Sequence, residues 1–167
     1  MDLITMFLNE MDHEFPVTRK VLERIPTEKF AWTAHPRSWP IGHLAAHVAN
    51  IPSWIALALT STSFDMHPAG QPPARTPHLA SSEEVLAMFD HHVEGARDTL
   101  RRTDPDNLQL TWTLLAGGNP VLTIPRTAVL RSFVLNHMIH HRGQLAVYLR
   151  LLDLPVPSIY GPSADEK

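Results

Sequence analysis

The sequence predicts an all-α protein, a four-helix bundle with long crossover connections. Apolar residues recur at helical spacing in four separate segments. Hydrophobic residues make up 44% of the 167 residues but aromatic residues only 7%, so Leu, Val, Ile and Ala must form most of the core, which suits helices. The connections after the second and third segments are long enough for a topology other than simple up-and-down. We expect one domain spanning residues 1–167.

The first two predicted helices both contain a proline. The first spans residues 2–25, where apolar side chains follow a helical period, and Pro16 is expected to kink it. The second spans residues 40–59 and opens with Pro40, a residue favoured in a first helical turn. Pro52 is expected to bend this second helix.

A long Pro-rich connection, residues 61–79, separates the second helix from the third. Its length is unusual in a compact domain, so it either crosses the bundle or forms a mobile lid. The third predicted helix spans residues 81–102 and opens with a capping box, in which Ser81 precedes Glu84 by three positions.

The segment before the last helix has a different period. From Leu108 to Leu114 apolar residues alternate with polar ones, and Gly117-Gly118-Asn119 is typical of a turn. This pattern fits a small β-hairpin or an extended loop, and the sequence does not decide between them. The fourth predicted helix spans residues 125–152, and a Pro-rich tail follows it.

Composition excludes several function classes. The formal charge of −3 gives no electrostatic reason to expect a nucleic-acid partner. No apolar run approaches the 18 residues of a membrane span, and the acidic N-terminal segment does not look like a targeting peptide, so we expect a cytoplasmic protein without a membrane partner. The chain has no cysteine, so any metal must be bound through nitrogen or oxygen.

Histidines in the last predicted helix point to a metal site. The stretch HMIHHRGQ places His137 and His141 four residues apart, on one face of a helix and within an apolar stripe. A buried polar group without a partner costs about 1–3 kcal/mol. Two hydrogen-bonded core histidines would satisfy this pattern, but the second pair at the same spacing, His43 and His47, favours a shared metal site.

His47 is the best third ligand, because it lies on the buried side of its helix beside Leu44 and Val48. His43 is expected nearer solvent, as a surface residue or a group behind the ligands rather than a fourth ligand, and His140 is expected at the edge of the stripe. Three neutral imidazoles suit Zn²⁺ or Ni²⁺. Three protein ligands also leave a position open for water or a small thiol.

Two residues beside the histidines have expected structural roles. Arg142 either holds an acidic partner from another helix or forms a surface or interface salt bridge, and we expect the second. Gly143, which lowers helix propensity, is expected to permit close approach of another helix.

Two segments resemble the DinB family of helical-bundle proteins: PIGHLAAHVANIPSW, and LNHMIHHRGQLAVYLRLLDLPVPSIYGPSADE near the C-terminus. The resemblance covers essentially the whole chain, and its most specific part is HxxxHRGQ followed by PxPxIYGPS. It implies a four-helix bundle with a three-histidine metal site, carried here by His47, His137 and His141. Relatives often have Glu at the position of His43. The family includes thiol-dependent transferases and isomerases, and homodimers are common in it.

The sequence therefore supports a divalent-metal-binding protein with two alternative functions. The first is a metal-dependent enzyme, a hydrolase or a thiol S-transferase, acting on an unknown small molecule with water or an external low-molecular-weight thiol. Its general base is unassigned, since Glu10, Asp12 and His43 are candidates by helix position only. The second is a non-catalytic, homodimeric metal-binding module of the stress response.

Overall fold

A computed structural model describes residues 2–166 and shows a mostly helical chain with a small three-stranded sheet. The mostly helical class is confirmed, and the sheet has one strand more than the hairpin that the sequence offered as an alternative. The helices are α1 (Leu3–Glu23), α2 (Ile41–Asn50), α3 (Ser53–Thr60), α4 (Ser82–Arg102), α5 (Arg126–Val129) and α6 (His137–Leu151), with a π-helical turn (Leu130–Asn136) joining the last two and 3₁₀ turns at Thr27–Lys29 and Pro105–Gln109.

The helix α1 begins at a side-chain cap and continues through its proline. The Asp2 carboxylate accepts hydrogen bonds from the Thr5 amide and the Thr5 hydroxyl, both at 2.9 Å. An anionic cap satisfies free amides and suits the positive end of the helix dipole. Pro16 lies on the exposed side of α1, and the helix runs to Glu23 without a break.

The predicted second helix is divided into α2 and α3 at Ile51 and Pro52. Proline has no amide hydrogen, so Pro52 cannot donate to the carbonyl four residues earlier. The Ile51 amide closes α2 by bonding to the His47 and Val48 carbonyls at 3.2 and 3.3 Å. The break leaves both Ile51 and Pro52 buried.

The helix α4 begins at the predicted capping residues. The Ser81 hydroxyl accepts a hydrogen bond from the Glu84 amide at 3.3 Å. In a standard capping box the Glu84 carboxylate would accept from the amide of Ser81. Here it accepts from the amide of the preceding residue, Ala80, at 2.7 Å.

The sheet consists of β1 (Ser63–Asp65), β2 (Thr111–Ala116) and β3 (Asn119–Pro125), in that spatial order. The strands β2 and β3 are antiparallel, so the hairpin alternative is confirmed. Gly117 and Gly118 form its turn with φ angles of 60° and 78°, a left-handed conformation that favours glycine. The strand β1 pairs with β2 in parallel, and the Asp65 carboxylate accepts hydrogen bonds from both turn glycines at 3.0 and 2.7 Å.

The core lies between α1, α2, α4 and α6. The helix α4 packs against α1, α2 and α3, while α6 packs against α1 and α2. The buried side chains are mainly aliphatic, with an edge-to-face pair of Phe15 and Phe89 whose ring centres are 6.1 Å apart. In residues 2–166, no helix has both the length and the hydropathy needed to cross a membrane.

The helix glycine that permits close packing is Gly42, and the expectation for Gly143 is wrong. A Cβ added to Gly42 would lie 2.6 Å from Cγ of Phe30, which precedes α2 in the chain. A Cβ added to Gly143 would meet no atom within 4 Å beyond its chain neighbours and the backbone of its own helix, because this side of α6 is exposed.

Candidate metal centre

Three histidines from two helices converge on one point. The Nε2 atom of His137 lies 3.2 Å from Nε2 of His47 and 2.7 Å from Nε2 of His141. One nitrogen from each ring lies within 4.8 Å of those of the other two. His137 and His141 are one turn apart on α6, and packing of α2 against α6 brings His47 to them. The three residues singled out from the sequence are thus together.

The outward nitrogens of the cluster have hydrogen-bond partners that fix the rings. His141 Nδ1 lies 2.7 Å from Oε1 of Gln144, and His47 Nδ1 lies 3.1 Å from the Thr76 hydroxyl. A carboxamide oxygen only accepts, so the His141 proton lies on Nδ1 and the Nε2 lone pair faces the other rings. His137 bonds to the backbone of Phe133. Partners of this kind orient histidine ligands in metal sites.

The spacing of the inner nitrogens fits a divalent ion. Metal–nitrogen bonds of about 2.0–2.1 Å place two imidazole nitrogens about 3.3 Å apart in a tetrahedral site and about 3.0 Å apart at adjacent octahedral positions. The observed 3.2 and 2.7 Å are close to these values. Neutral nitrogen lone pairs that face each other so closely repel unless a proton or cation lies between them. The donor set therefore fits Zn²⁺ or Ni²⁺.

Burial keeps these imidazoles neutral near pH 7. Burial, and then charge repulsion from the neighbouring His141, His137 and His43 rings, lower the pKa of His47 to about 4. Burial and then repulsion from His141 lower the pKa of His137 to about 4 as well. The pKa of His141 is also lowered, chiefly by burial. A neutral imidazole is the form that binds a metal ion.

Two tryptophans enclose the cluster. The ring centre of Trp39 is 5.3 Å from that of His47 and 6.0 Å from that of His141. The ring centre of Trp54 is 5.7 Å from His47 and 5.3 Å from His137. These rings limit the access of water to the inner nitrogens from two sides.

His43 and His140 lie beside the cluster and are exposed. His43 packs against Trp39 with ring centres 4.9 Å apart, and His140 packs against His141 at the same distance. Neither belongs to the group of convergent nitrogens found in residues 2–166.

The cluster borders a cavity of about 680 Å³, and His47 and His137 form part of its wall. The rest of the wall is mainly apolar, with Trp54 from α3 and Phe133 from the π-helical turn. The connection at residues 61–79 passes over the cavity and contributes further lining residues. These are Phe64, Met66, His67, Ala74, Arg75 and Thr76. The connection is therefore both a crossover between α3 and α4 and a wall of the cavity.

The carboxylates considered as general bases are engaged elsewhere. Glu10 pairs with Arg131, with one N–O distance of 2.7 Å, and Asp12 pairs with Arg97 at 2.8 Å. Neither lines the cavity. Of the three candidates, only His43 lies near the cluster.

Arg142 forms a buried ion pair, which corrects the expectation of a surface or interface salt bridge. Its side chain is 1% exposed and lies 2.7 Å from the Glu14 carboxylate on α1, which is 7% exposed. Arg142 also donates to the Thr18 hydroxyl at 3.1 Å and to the Tyr160 hydroxyl at 2.5 Å, and the Tyr160 hydroxyl donates to Glu14. Through Tyr160, this network holds the C-terminal tail against α1 and α6. It also fixes Arg142, the residue that follows His141.

The spacing of apolar residues in α6 could have indicated that Arg142 is buried. Met138, Arg142, Leu145 and Leu149 are the buried residues of α6, and they repeat at intervals of four, three and four. This stripe lies beside the one that contains the histidines. Glu14, the partner of Arg142, also falls on a buried stripe, between Met11 and Thr18 of α1. Tyr160 carries no such signal, because it lies in the irregular tail after α6.

The DinB family model matches residues 2–167 of the chain. The chain is also 26% identical over 160 residues to YrdA, an uncharacterized protein of Bacillus subtilis (strain 168), with 96% of this chain and 89% of that protein covered.

Two solved structures have a similar fold. A DinB-like protein from Bacillus cereus has a TM-score of 0.69 and 22% identity, covering 92% of this chain and 95% of its own. The DinB-like protein YjoA from Bacillus subtilis also has a TM-score of 0.69, at 15% identity, covering 95% of this chain and 99% of its own.

Proposed function

The chain belongs to the DinB family, and from this membership and the histidine cluster we propose that it is a metal-dependent enzyme. His47, His137 and His141 hold one divalent ion, Zn²⁺ or Ni²⁺. The observation that carries the proposal is the position of the cluster in the wall of a cavity, with the outward ring nitrogens hydrogen-bonded. We also infer that α1, α2 with α3, α4, and α5 with α6 form a four-helix bundle within a single domain.

The chain's own residues would hold the ion and shape its surroundings. Three protein ligands leave at least one coordination position, and the cavity beside His47 and His137 gives a small molecule access to it. A bound ion would supply Lewis acidity and lower the pKa of a coordinated water or thiol. Gln144 and Thr76 keep the inner nitrogens of His141 and His47 directed at the ion, while Trp39 and Trp54 exclude bulk water.

Thiol transfer is the better supported of the two reactions. The lining of the cavity includes no Asp or Glu among the described residues, so a general base for water would have to be a histidine, and outside the cluster the lining offers His67. A thiol has an ordinary pKa of about 8.5 and needs less assistance to ionise near neutral pH. The chain has no cysteine, so the thiol is a separate small molecule.

Turnover assays test this function. We expect the metal-loaded protein to accelerate the reaction of low-molecular-weight thiols with electrophilic substrates, and His137→Ala to abolish the acceleration. A parallel panel of esters and amides tests hydrolysis. Failure of the wild type to exceed the His137→Ala variant in both panels would refute the enzymatic function.

The alternative is a non-catalytic, homodimeric metal-binding module of the stress response. It is favoured by Val147 and Leu151, two exposed apolar residues one turn apart on α6, which would suit a contact between two copies. This alternative predicts a closed coordination shell and a large loss of stability on chelation. The enzymatic function predicts an exchangeable ligand on the ion and a folded metal-free protein.

A further inference from the structure

We propose that the cavity beside the histidine cluster binds a small molecule with an apolar body and one anionic group, and that Arg75 pairs with the anion. This inference rests on the proposed function in one respect: it takes the bound molecule to be the substrate of the metal site. Binding itself depends only on the cavity and on Arg75.

The size and lining of the cavity require an apolar body. Its volume of about 680 Å³ lies within the usual range of about 300–1,000 Å³ for small-molecule sites. The lining includes Trp54, Leu57 and Phe133 from the helical segments, and Trp112 and Leu114 from β2. Burial of apolar surface against these residues supplies most of the binding free energy.

Arg75 supplies a charge that the rest of the lining lacks. It is the only Lys, Arg, Asp or Glu in the described lining of the cavity. Most arginines in the chain pair with a carboxylate, as Arg97 does with Asp12 and Arg150 with Asp165. In the part of the chain that the structure describes, Arg75 pairs with none. Arg75 is exposed, so its guanidinium is accessible to an anionic ligand of the cavity, which it can bind through two parallel hydrogen bonds.

Hydrogen bonds on both sides hold the backbone of Arg75 in place. On one side, the Ala74 amide donates to the Met66 carbonyl at 3.0 Å, and the Met66 amide donates to Leu115 of the hairpin at 2.9 Å. On the other side, the Thr76 hydroxyl is bonded to His47 Nδ1 at 3.1 Å. The segment that carries Arg75 therefore also contacts a residue of the histidine cluster. An anion bound by Arg75 would anchor the ligand in the wall that includes His47.

Two fluorescent probes of matched shape test the proposal. The first is 1-anilinonaphthalene-8-sulfonate, which has an apolar body and one anionic group. The second is N-phenyl-1-naphthylamine, which has the same ring system without the sulfonate. Both are titrated into wild type, Arg75→Gln, Arg75→Lys and a control variant, Arg102→Gln. Arg102 is 83% exposed at the end of α4 and does not line the cavity.

We expect Arg75→Gln to weaken binding of the sulfonate probe about three- to tenfold, the range for a charge-assisted contact that remains partly solvated. Arg75→Lys should restore most of the affinity, and Arg102→Gln should leave it unchanged. The neutral probe should bind all four proteins equally. Leu57→Trp, which narrows the cavity, should weaken both probes.

Equal affinity of the sulfonate probe for Arg75→Gln and Arg102→Gln would overturn the role of Arg75. Failure of Leu57→Trp to weaken either probe, or no binding of either probe to wild type, would overturn the cavity as the binding site. The titrations are run on the protein as purified and after chelation, with metal content measured on the same samples. Arg75-dependent binding both before and after chelation, by protein that contains no divalent ion as purified, would refute the proposed function alone. A bound metal in protein without Arg75-dependent binding would refute this inference alone.

Discussion

Replacement of Arg142 by Met should destabilise the protein by about 3 kcal/mol. The Arg142 and Glu14 side chains are 1% and 7% exposed, and their charged atoms are 2.7 Å apart. Removal of one partner from a buried ion pair costs about 3–5 kcal/mol, because it leaves the other charge buried without compensation. The Tyr160 hydroxyl still donates to both Glu14 oxygens at 2.9–3.0 Å, so we expect the lower end of this range.

Urea unfolding at pH 7, with chelator present in every sample, measures this effect. The matched control is Arg150→Met on the same helix. Arg150 lies 2.6 Å from Asp165, but the two side chains are 49% and 29% exposed, so this change should cost less than about 1 kcal/mol. The double variant Arg142→Met/Glu14→Gln removes both buried charges and should recover part of the loss. A destabilisation by Arg142→Met no greater than that of Arg150→Met would refute the reasoning.

Three further predictions concern packing, ligand orientation and pH. Gly42→Ala should destabilise the protein by about 1–3 kcal/mol, whereas Gly143→Ala should stabilise it by up to about 1 kcal/mol; equal thermal shifts would contradict the assigned packing. Gln144→Met should lower metal affinity about 10- to 100-fold, as measured by competition with a chelator, and unchanged affinity would contradict an orienting role. The pKa values of His47 and His137 are lowered to about 4 from 6.5, so the unfolded chain binds more protons below pH 6.5. The chelated protein should therefore lose stability from pH 7 to pH 5, and a flat profile would count against burial of these rings.

Local signals predicted most of the helical structure. The period of apolar residues placed the four long helical segments to within a few residues, since each buries one face against its neighbours. The capping pair Ser81 and Glu84 marked the start of α4, and the turn glycines at 117 and 118 supported the hairpin. Pro52 indicated a bend, and the structure ends α2 there and begins α3 at Ser53, while Ile51 and Pro52 keep right-handed helical backbone angles.

The features that sequence reasoning missed depend on contacts between distant segments. The strand β1 has three residues and no period of its own, and it forms because β2 offers a free edge. Close packing at Gly42 depends on the position of Phe30, which local propensity does not indicate. The burial of Arg142 depends on Glu14, 128 positions earlier.

The histidine cluster, in contrast, could be predicted from the sequence because it depends mainly on local helix geometry. His137 and His141 share a face because of helix geometry alone, and His47 is the histidine on the buried side of its helix. The hydrogen-bond partners of the cluster, Thr76 and Gln144, differ in how far the sequence could have indicated them. Gln144 is three residues from His141 on one helix, whereas Thr76 lies in an irregular connection whose path only the folded structure gives.

Elemental analysis of the untagged protein tests the central claim most directly. Wild type and His140→Ala, a matched change at an exposed neighbour of the cluster, should each contain about one Zn²⁺ or Ni²⁺ per chain. The variants His47→Ala, His137→Ala and His141→Ala should each lose most of the metal while remaining folded. Wild-type protein without a stoichiometric divalent ion, or histidine variants that retain it, would contradict the proposed metal centre.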